Sequence, residues 1–356
     1  MAFLFSPRAV PRYLEQYGYA FSWKRLLNFA KVLGGMGLSY LLRRPLVWGQ
    51  PLVLMVEPTN FCNLKCPLCP SGNGQMSRPR GRMDLHEFKV LIDEAGDYLL
   101  LLMLWNQGEP LLNPCFVEMV RYARAHRIPT LTSTNGHFIR TAEQARALVE
   151  SGLDEIIISL DGVDQESYAR YRVGGDLECV LQGIRLLVHA RVALVVRHPV
   201  INLQFIAMKH NEQDLDAARR LADELGVDRF LVKTAQVYTA ADAEAFLPED
   251  AQLRRYASGP GSPVVKGQPR RGCKVLWYSS MVNWNGAVAP CCFDKDGRFE
   301  MGQAFNGGGG LRQLWRGRAY MDFRRRLLRD RNQVDMCRNC SEGYRGMFFL
   351  ADELRG

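Results

Sequence analysis

Long uninterrupted apolar runs are missing from this chain of 356 residues. The most apolar early stretch, 21–44, is broken by Lys31, Gly34, Gly35 and Gly37, which argues against a transmembrane span there. The start also lacks an apolar segment followed by a small-residue cleavage site, so no secretory signal is expected and a reducing, cytoplasmic setting is. No repeat of roughly 20 to 50 residues runs through the sequence, which argues against a solenoid. None of the six histidines belongs to a metal pair or a catalytic triad. With 47% hydrophobic and 23% charged residues, the composition excludes disorder as the default.

Cysteine, by contrast, is plentiful. Ten are present, and in a reducing compartment clustered cysteines read as metal binding or catalysis, not as disulfides. The length suits one sizeable catalytic domain with a smaller appendage. The net charge of +9 is concentrated at the start. Residues 1–50 hold Arg8, Arg12, Lys24, Arg25, Lys31, Arg43 and Arg44 against Glu15 alone. Residues 21–44 read as a helix with Trp23, Leu26, Leu27, Ala30 and Leu33 on one side. Its first reading is a helix packed on the main domain with a solvated basic face. Its second is peripheral contact with an anionic membrane surface.

From residue 52 to about 238, short apolar runs alternate with amphipathic stretches, as repeated βα units on a parallel sheet would. The strands expected are Val53–Glu57, Leu100–Trp105, Thr130–Thr134, Glu155–Leu160, Asn202–Met208 and Phe230–Lys233. Helices are expected near 84–97, 115–127, 141–151, 164–190 and 211–226. A Gly, Pro and Ser-rich break at 257–272 is read as a linker, and Asn285-Gly286 as a hairpin turn. The Arg-rich segment 311–331 is read as a helix with a solvated face. The division expected is a basic helical extension (1–50), a main domain (51–256), a linker (257–272) and a small cysteine-rich α+β domain (273–356).

Directly after the first strand the chain reads EPTNFCNLKCPLCPSG, placing Cys62, Cys66 and Cys69 in a C-x3-C-x2-C arrangement. Loops that follow strands form the active-site rim of βα barrels. Three thiolates on one such loop can hold three irons of a cubane and leave the fourth open. Structural zinc prefers four ligands in two separated pairs and fits this triplet poorly.

On these residues the chain resembles the radical SAM (S-adenosyl-L-methionine) superfamily, over roughly residues 52 to 346. The resemblance implies an α/β fold, a partial (βα)6 TIM-like barrel. It also implies a [4Fe-4S] cluster that donates an electron to SAM, yielding a 5'-deoxyadenosyl radical that abstracts hydrogen from substrate. Leu68, near the adenine, stands where the family usually has an aromatic residue. Asn106-Gln107-Gly108-Glu109-Pro110 resembles the family's GGE motif, with Gly108 and Glu109 receiving the SAM ammonium and Gln107 replacing the first glycine. Ser133, Asn135 and Ser159, at the ends of the third and fourth strands, suit ribose hydroxyls and the methionine carboxylate. Arg172 matches an arginine that pairs with that carboxylate. Asp161 is either a further contact or a local turn residue, and Gln204, Lys233 and Thr234 are secondary candidates.

Downstream, Cys273, Cys291, Cys337 and Cys340 make a second set of four, a number that sequence chemistry alone would also allow for zinc. Attached to a radical SAM core, the segment is similar to the SPASM/Twitch domain, which implies one auxiliary [4Fe-4S] cluster with Cys291 preferred over Cys292 as ligand. Cys115 and Cys179 read as small buried hydrophobes. The activity implied is hydrogen abstraction from an unactivated C–H bond, followed by oxidation through the auxiliary cluster, a radical SAM oxidoreductase. Its one-cluster pattern resembles the aminocyclitol alcohol dehydrogenases of antibiotic pathways. The alternatives are maturation of a ribosomally made peptide, modification of a lipid-linked substrate at a membrane, and a non-enzymatic iron–sulfur carrier. The partners expected are a small-molecule or peptide substrate and a flavodoxin- or ferredoxin-type electron donor, with no nucleic acid.

Overall fold

The computed structural model describes residues 15–257, 261–267, 271–305, 307, 309–342 and 349–353. Expectations placed on 1–14, on parts of the 257–272 break and on most of the tail after 342 lie outside these. A helix, α1 (Trp23–Leu42), precedes six strands: β1 (Val53–Val56), β2 (Leu101–Leu104), β3 (Thr130–Thr134), β4 (Glu155–Ser159), β5 (Val200–Ala207) and β6 (Arg229–Thr234). They pair in parallel in chain order. The intervening helices are α2 (Leu85–Ala95), α3 (Phe116–Ala125), α4 (Ala142–Glu150), the pair α5 (Gln165–Tyr171) and α6 (Leu177–Ala193), and α7 (Leu215–Glu224). This is the partial (βα)6 barrel expected.

The strands bury both faces, which is why they read as nearly continuous apolar runs. Outward residues such as Leu54, Val56, Leu102, Leu104, Ile156 and Phe205 join the helices in the main core. Inward residues Val53, Met55 and Met103 form a second cluster. Side chains start the helices where sequence signals expect them. Asp84 accepts from the His86 amide at 2.7 Å, and Thr141 with Gln144 closes a capping box on α4, each cap contributing about 1 kcal/mol.

The C-terminal part continues the same sheet. Strand β7 (Ser279–Val282) pairs in parallel with β1, β8 (Ala287–Ala289) returns antiparallel through the Asn285-Gly286 turn, and β9 (Gly302–Gln303) follows. Strand β10 (Phe349–Glu353) closes the other edge against β6.

Three expectations are corrected. The helix read over 164–190 is two, because Val173-Gly174-Gly175 ends α5 and Asp176 caps α6 through the Cys179 amide at 3.2 Å. The Arg-rich segment splits at Gly317 into Gly310–Trp315 and α8 (Arg318–Arg329), and it is not solvated throughout. Arg324 is fully buried between the Trp315 and Tyr320 rings, 4.1 and 4.4 Å from their centroids, donating to the carbonyls of Leu276 and Trp315.

The third concerns α1, which packs with its polar face inward. Arg25, Asn28 and Ser39 are buried, while Trp23, Leu26, Leu27 and Leu33 face out. The cause lies in the turns that lead into the strands, which expose carbonyls needing donors. Arg25 supplies four, at 2.5–3.0 Å to Ala20, Gly96, His126 and Arg127. Asn28 exchanges two bonds with the Gln50 backbone. Ser39 accepts from the Leu46 amide and from the Trp277 indole. Residues 15–50 thus seal the end of the barrel where the strands begin. Among the described residues no helix is long and apolar enough to cross a membrane.

Candidate functional site

The loop after β1 carries Cys62, Cys66 and Cys69 and ends in a helical turn, Pro70–Asn73. Gly72 allows that turn to close, since a Cβ there would lie 2.5 Å from the Cys66 amide nitrogen. Each thiol meets a polar group from a different segment, two at the ends of β3 and β2 and one just after α5. Cys62 Sγ lies 3.9 Å from Asn135 Nδ2, Cys66 Sγ 4.0 Å from Arg172 Nη1, and Cys69 Sγ 3.9 Å from Gln107 Oε1. The charges of Cys66 and Cys69 both bear on Cys62, and that of Cys69 on Cys66. Burial pushes the Cys62 thiol up to about 12, and also raises Cys66 against the pull of Arg172.

Gly108 brings the end of β2 against this loop, with φ +79° and no room for a side chain beside the Phe61 and Thr59 carbonyls. Glu109 is buried, and its carboxylate accepts from Thr134 Oγ1 at 2.6 Å, the Asn135 amide at 2.8 Å and the Leu111 amide at 3.1 Å. Burial raises its pKa while these donors oppose the rise. Asn135 also donates to Asn63 Oδ1 at 2.8 Å. Ser133 and Ser159 sit on β3 and β4, in register with Ile157 and Gln204. Leu68 is buried with Leu64, Tyr171 and Met208.

The structure therefore brings Glu109, Asn135 and Arg172 to the cysteine loop, while among the described residues Ser133 and Ser159 make no side-chain hydrogen bond to it. Further groups support these, and of them only His137 escaped the sequence reading. Gln107 holds Cys69 and Ser71, and its departure from glycine was the available signal. Asp161 does more than close its own turn, since it accepts from Arg172 and from the Ile206 amide. His137 accepts from the Asp176 amide through Nε2 and bonds Asn135, which no local pattern marks.

In the second set, Cys273 precedes β7, Cys291 follows β8, Cys337 lies within the helical turn Asp335–Arg338 and Cys340 just follows it. The charge of Cys273 acts on Cys291, Cys337 and Cys340 alike. Burial raises all four thiols, Cys337 to about 12. Cys292 is the thiol whose charge bears most on Cys291, and its own charged neighbours are Glu342, Lys295 and Lys233. Arg331 is buried and holds the loop together, donating to the Cys337 carbonyl at 3.1 Å, to that of Cys340 at 2.8 Å and to that of Glu342. Cys273, Cys291 and Cys292 pack against the apolar cluster that joins Val53, Met55 and Met103 to Val275, Tyr278 and Met281. Cys115 and Cys179 are half-buried, and Cys179 lies 3.8 Å from the His137 carbonyl.

Among known families, the model of the radical SAM superfamily matches residues 56–229, and that of SPASM, an iron–sulfur cluster-binding domain, matches 273–341. Together they span more than half of the sequence and take in all seven cysteines of the two sets. The chain belongs to the radical SAM superfamily. Among curated radical SAM relatives, the mycofactocin maturase MftC of Mycobacterium ulcerans is 27% identical over 309 residues, 82% of this chain and 80% of that protein. The PqqA peptide cyclase of Gluconobacter oxydans is 27% identical over 259 residues, 68% of this chain and 70% of that one. The crystal structure of Streptococcus suis SuiB bound to precursor peptide SuiA shares the fold, with a TM-score of 0.57 at 16% identity, covering 78% of this chain and 67% of SuiB.

The radical SAM and SPASM domains carry [4Fe-4S] clusters, and SAM is the cofactor of the first. The residues present fit these groups. Three thiols stand on one loop, and four others are brought together around Cys273, whose charge bears on the rest, the thiolate sets that cubanes take. Burial keeps the thiols from ionising unaided, and cationic iron supplies the missing compensation.

Proposed function

We propose that this radical SAM enzyme modifies a peptide at an unactivated C–H bond and oxidises it with the help of the auxiliary cluster. The similarity to PqqA peptide cyclase across 68% of the chain carries the choice of substrate class. It favours a peptide over the small-molecule dehydrogenase reading. In this reading Cys62, Cys66 and Cys69 hold the first cluster, and Cys273, Cys291, Cys337 and Cys340 hold the second. Bound SAM supplies the radical that takes the hydrogen.

The chain's own residues orient that cofactor. Glu109 presents its carboxylate to the SAM ammonium, with Gly108 giving close backbone approach. Arg172, steadied by Asp161, turns its remaining guanidinium nitrogens to the methionine carboxylate. Ser133, Asn135 and Ser159 serve the ribose and carboxylate, and Leu68 packs near the adenine. The packing of Cys273 and Cys291 against the apolar cluster that includes the inward residues of β1 and β2 supports electron transfer from the substrate to the auxiliary cluster. A flavodoxin- or ferredoxin-type protein would reduce the first cluster. We take 51–256 and 273–356 as the two cluster-bearing domains.

The test is anaerobic. Reconstituted protein, with about eight irons per chain, is given dithionite, SAM and short peptides encoded beside its gene. Formation of 5'-deoxyadenosine together with a peptide lighter by two hydrogens is the expected result. Deoxyadenosine carrying deuterium from a labelled sugar alcohol, with every peptide unchanged, would return the small-molecule reading.

A further inference from the structure

The geometry points to α1 as a membrane-docking element that lays the sealed end of the barrel on an anionic phospholipid surface. The observation is the inversion of this helix. Its inward side is held by Arg25, Asn28 and Ser39 through the backbone bonds described above, so the helix cannot roll without leaving those groups unpaired. The outward side is thereby fixed as the apolar one. Trp23 is 76% exposed, Leu27 58% and Leu41 74%, with Leu26 and Leu33 between them. Trp48 extends the surface: it is 48% exposed, and its ring lies across Gly34, where a Cβ would come within 3.0 Å. A contiguous apolar surface left in water by a rigid fold marks a contact site.

Charge identifies the occupant. Residues 16–50 contain no Asp or Glu. Lys31, Arg43 and Arg44 are exposed around the apolar side, and Arg316 joins them by donating to the Trp48 carbonyl at 2.7 Å. Lys24 alone is neutralised locally, by Asp97 at 2.6 Å. Apolar side chains flanked by tryptophans and by cations of one sign match the boundary between acyl chains and anionic headgroups. A protein partner or a second copy of this chain would need acidic groups to answer the rim. The α1 surface cannot enter deeper than the interface, since Arg25 and Asn28 on its other side belong to the barrel.

This placement has a consequence for access. Arg25 binds carbonyls at Gly96, His126 and Arg127, and Tyr19 donates to Asp154, all in turns leading into strands. The cysteine loop leaves the opposite ends of the strands. A docked enzyme therefore presents its reactive mouth to water, where a soluble substrate and an electron donor protein reach it.

The experiment is co-sedimentation of the full-length, reconstituted protein with phosphatidylcholine vesicles, with and without roughly 30 mol% phosphatidylglycerol. Binding only to the anionic vesicles is expected. A Trp23→Ser/Leu27→Ser/Leu41→Ser variant and a Lys31→Glu/Arg43→Glu/Arg44→Glu variant should each partition about a hundredfold less, with iron content and deoxyadenosine formation unchanged. Failure of the wild type to sediment, or sedimentation of both variants as complete as that of the wild type, overturns the proposal. So does a dimer in light scattering that the serine variant dissolves while vesicles bind neither form, because the surface then belongs to a second copy.

Discussion

Arg172 donates its Nε to Asp161 Oδ2 at 2.5 Å, and the acid's other oxygen takes the Ile206 amide at 2.7 Å. The pair is almost wholly out of water, and the remaining guanidinium edge faces Cys66. A buried charge that loses its partner is costly, about 3–5 kcal/mol when one member is removed. Asp161→Asn should therefore lower the urea stability of the apo chain by about that order and weaken SAM binding through the misplaced arginine. Arg172→Lys should keep more of the stability but not the SAM affinity. Equal, small effects of both substitutions on unfolding would show that the pair does not act as a unit.

Cys291 and Cys292 are adjacent in sequence and differ in surroundings. Cys291 feels Cys292, Cys340 and Cys273, whereas Cys292 feels Glu342, Lys295 and Lys233. Cys291→Ser should reduce the iron from about eight to about four per chain, and Cys292→Ser should leave it unchanged. Iron assay and the charge-transfer absorbance of the two variants decide the point.

Arg331 ties the Cys337 and Cys340 carbonyls to one guanidinium. Removing it leaves buried acceptors without donors, at about 1–3 kcal/mol each. Arg331→Ala should lose the auxiliary cluster while still forming deoxyadenosine, so that SAM cleavage is uncoupled from substrate oxidation. Loss of both activities together would mean a general folding defect instead.

Lys233 lies on β6, and burial together with Arg255 lowers its pKa to about 8. An unfolded lysine titrates near 10.4. A depressed pKa means that the folded chain binds the proton less well, so stability rises as the pH goes from about 8 toward 10 and is lost on return. Lys233→Met lacks this dependence. Its urea midpoint relative to wild type should be most favourable near pH 7 and fall steadily by pH 9.5. A constant difference across that range would place the ammonium in water.

The docking surface and the site divide along the same physical line. Strand positions such as Thr130–Thr134, the spacing of Cys62, Cys66 and Cys69, the Asn285-Gly286 turn and the Asp84 cap were legible in the sequence, because each depends on neighbours a few residues away. Periodicity likewise placed Trp23, Leu27 and Leu33 on one side of a helix. It could not say that this side faces out, since that was decided by the carbonyls of Gly96, His126 and Arg127, which call Arg25 inward from turns far along the chain. The same holds for Asp161 with Arg172 and for Arg331 with its two cysteine carbonyls. Only chain closure brings those groups together, and burial then turns a possible pairing into a required one.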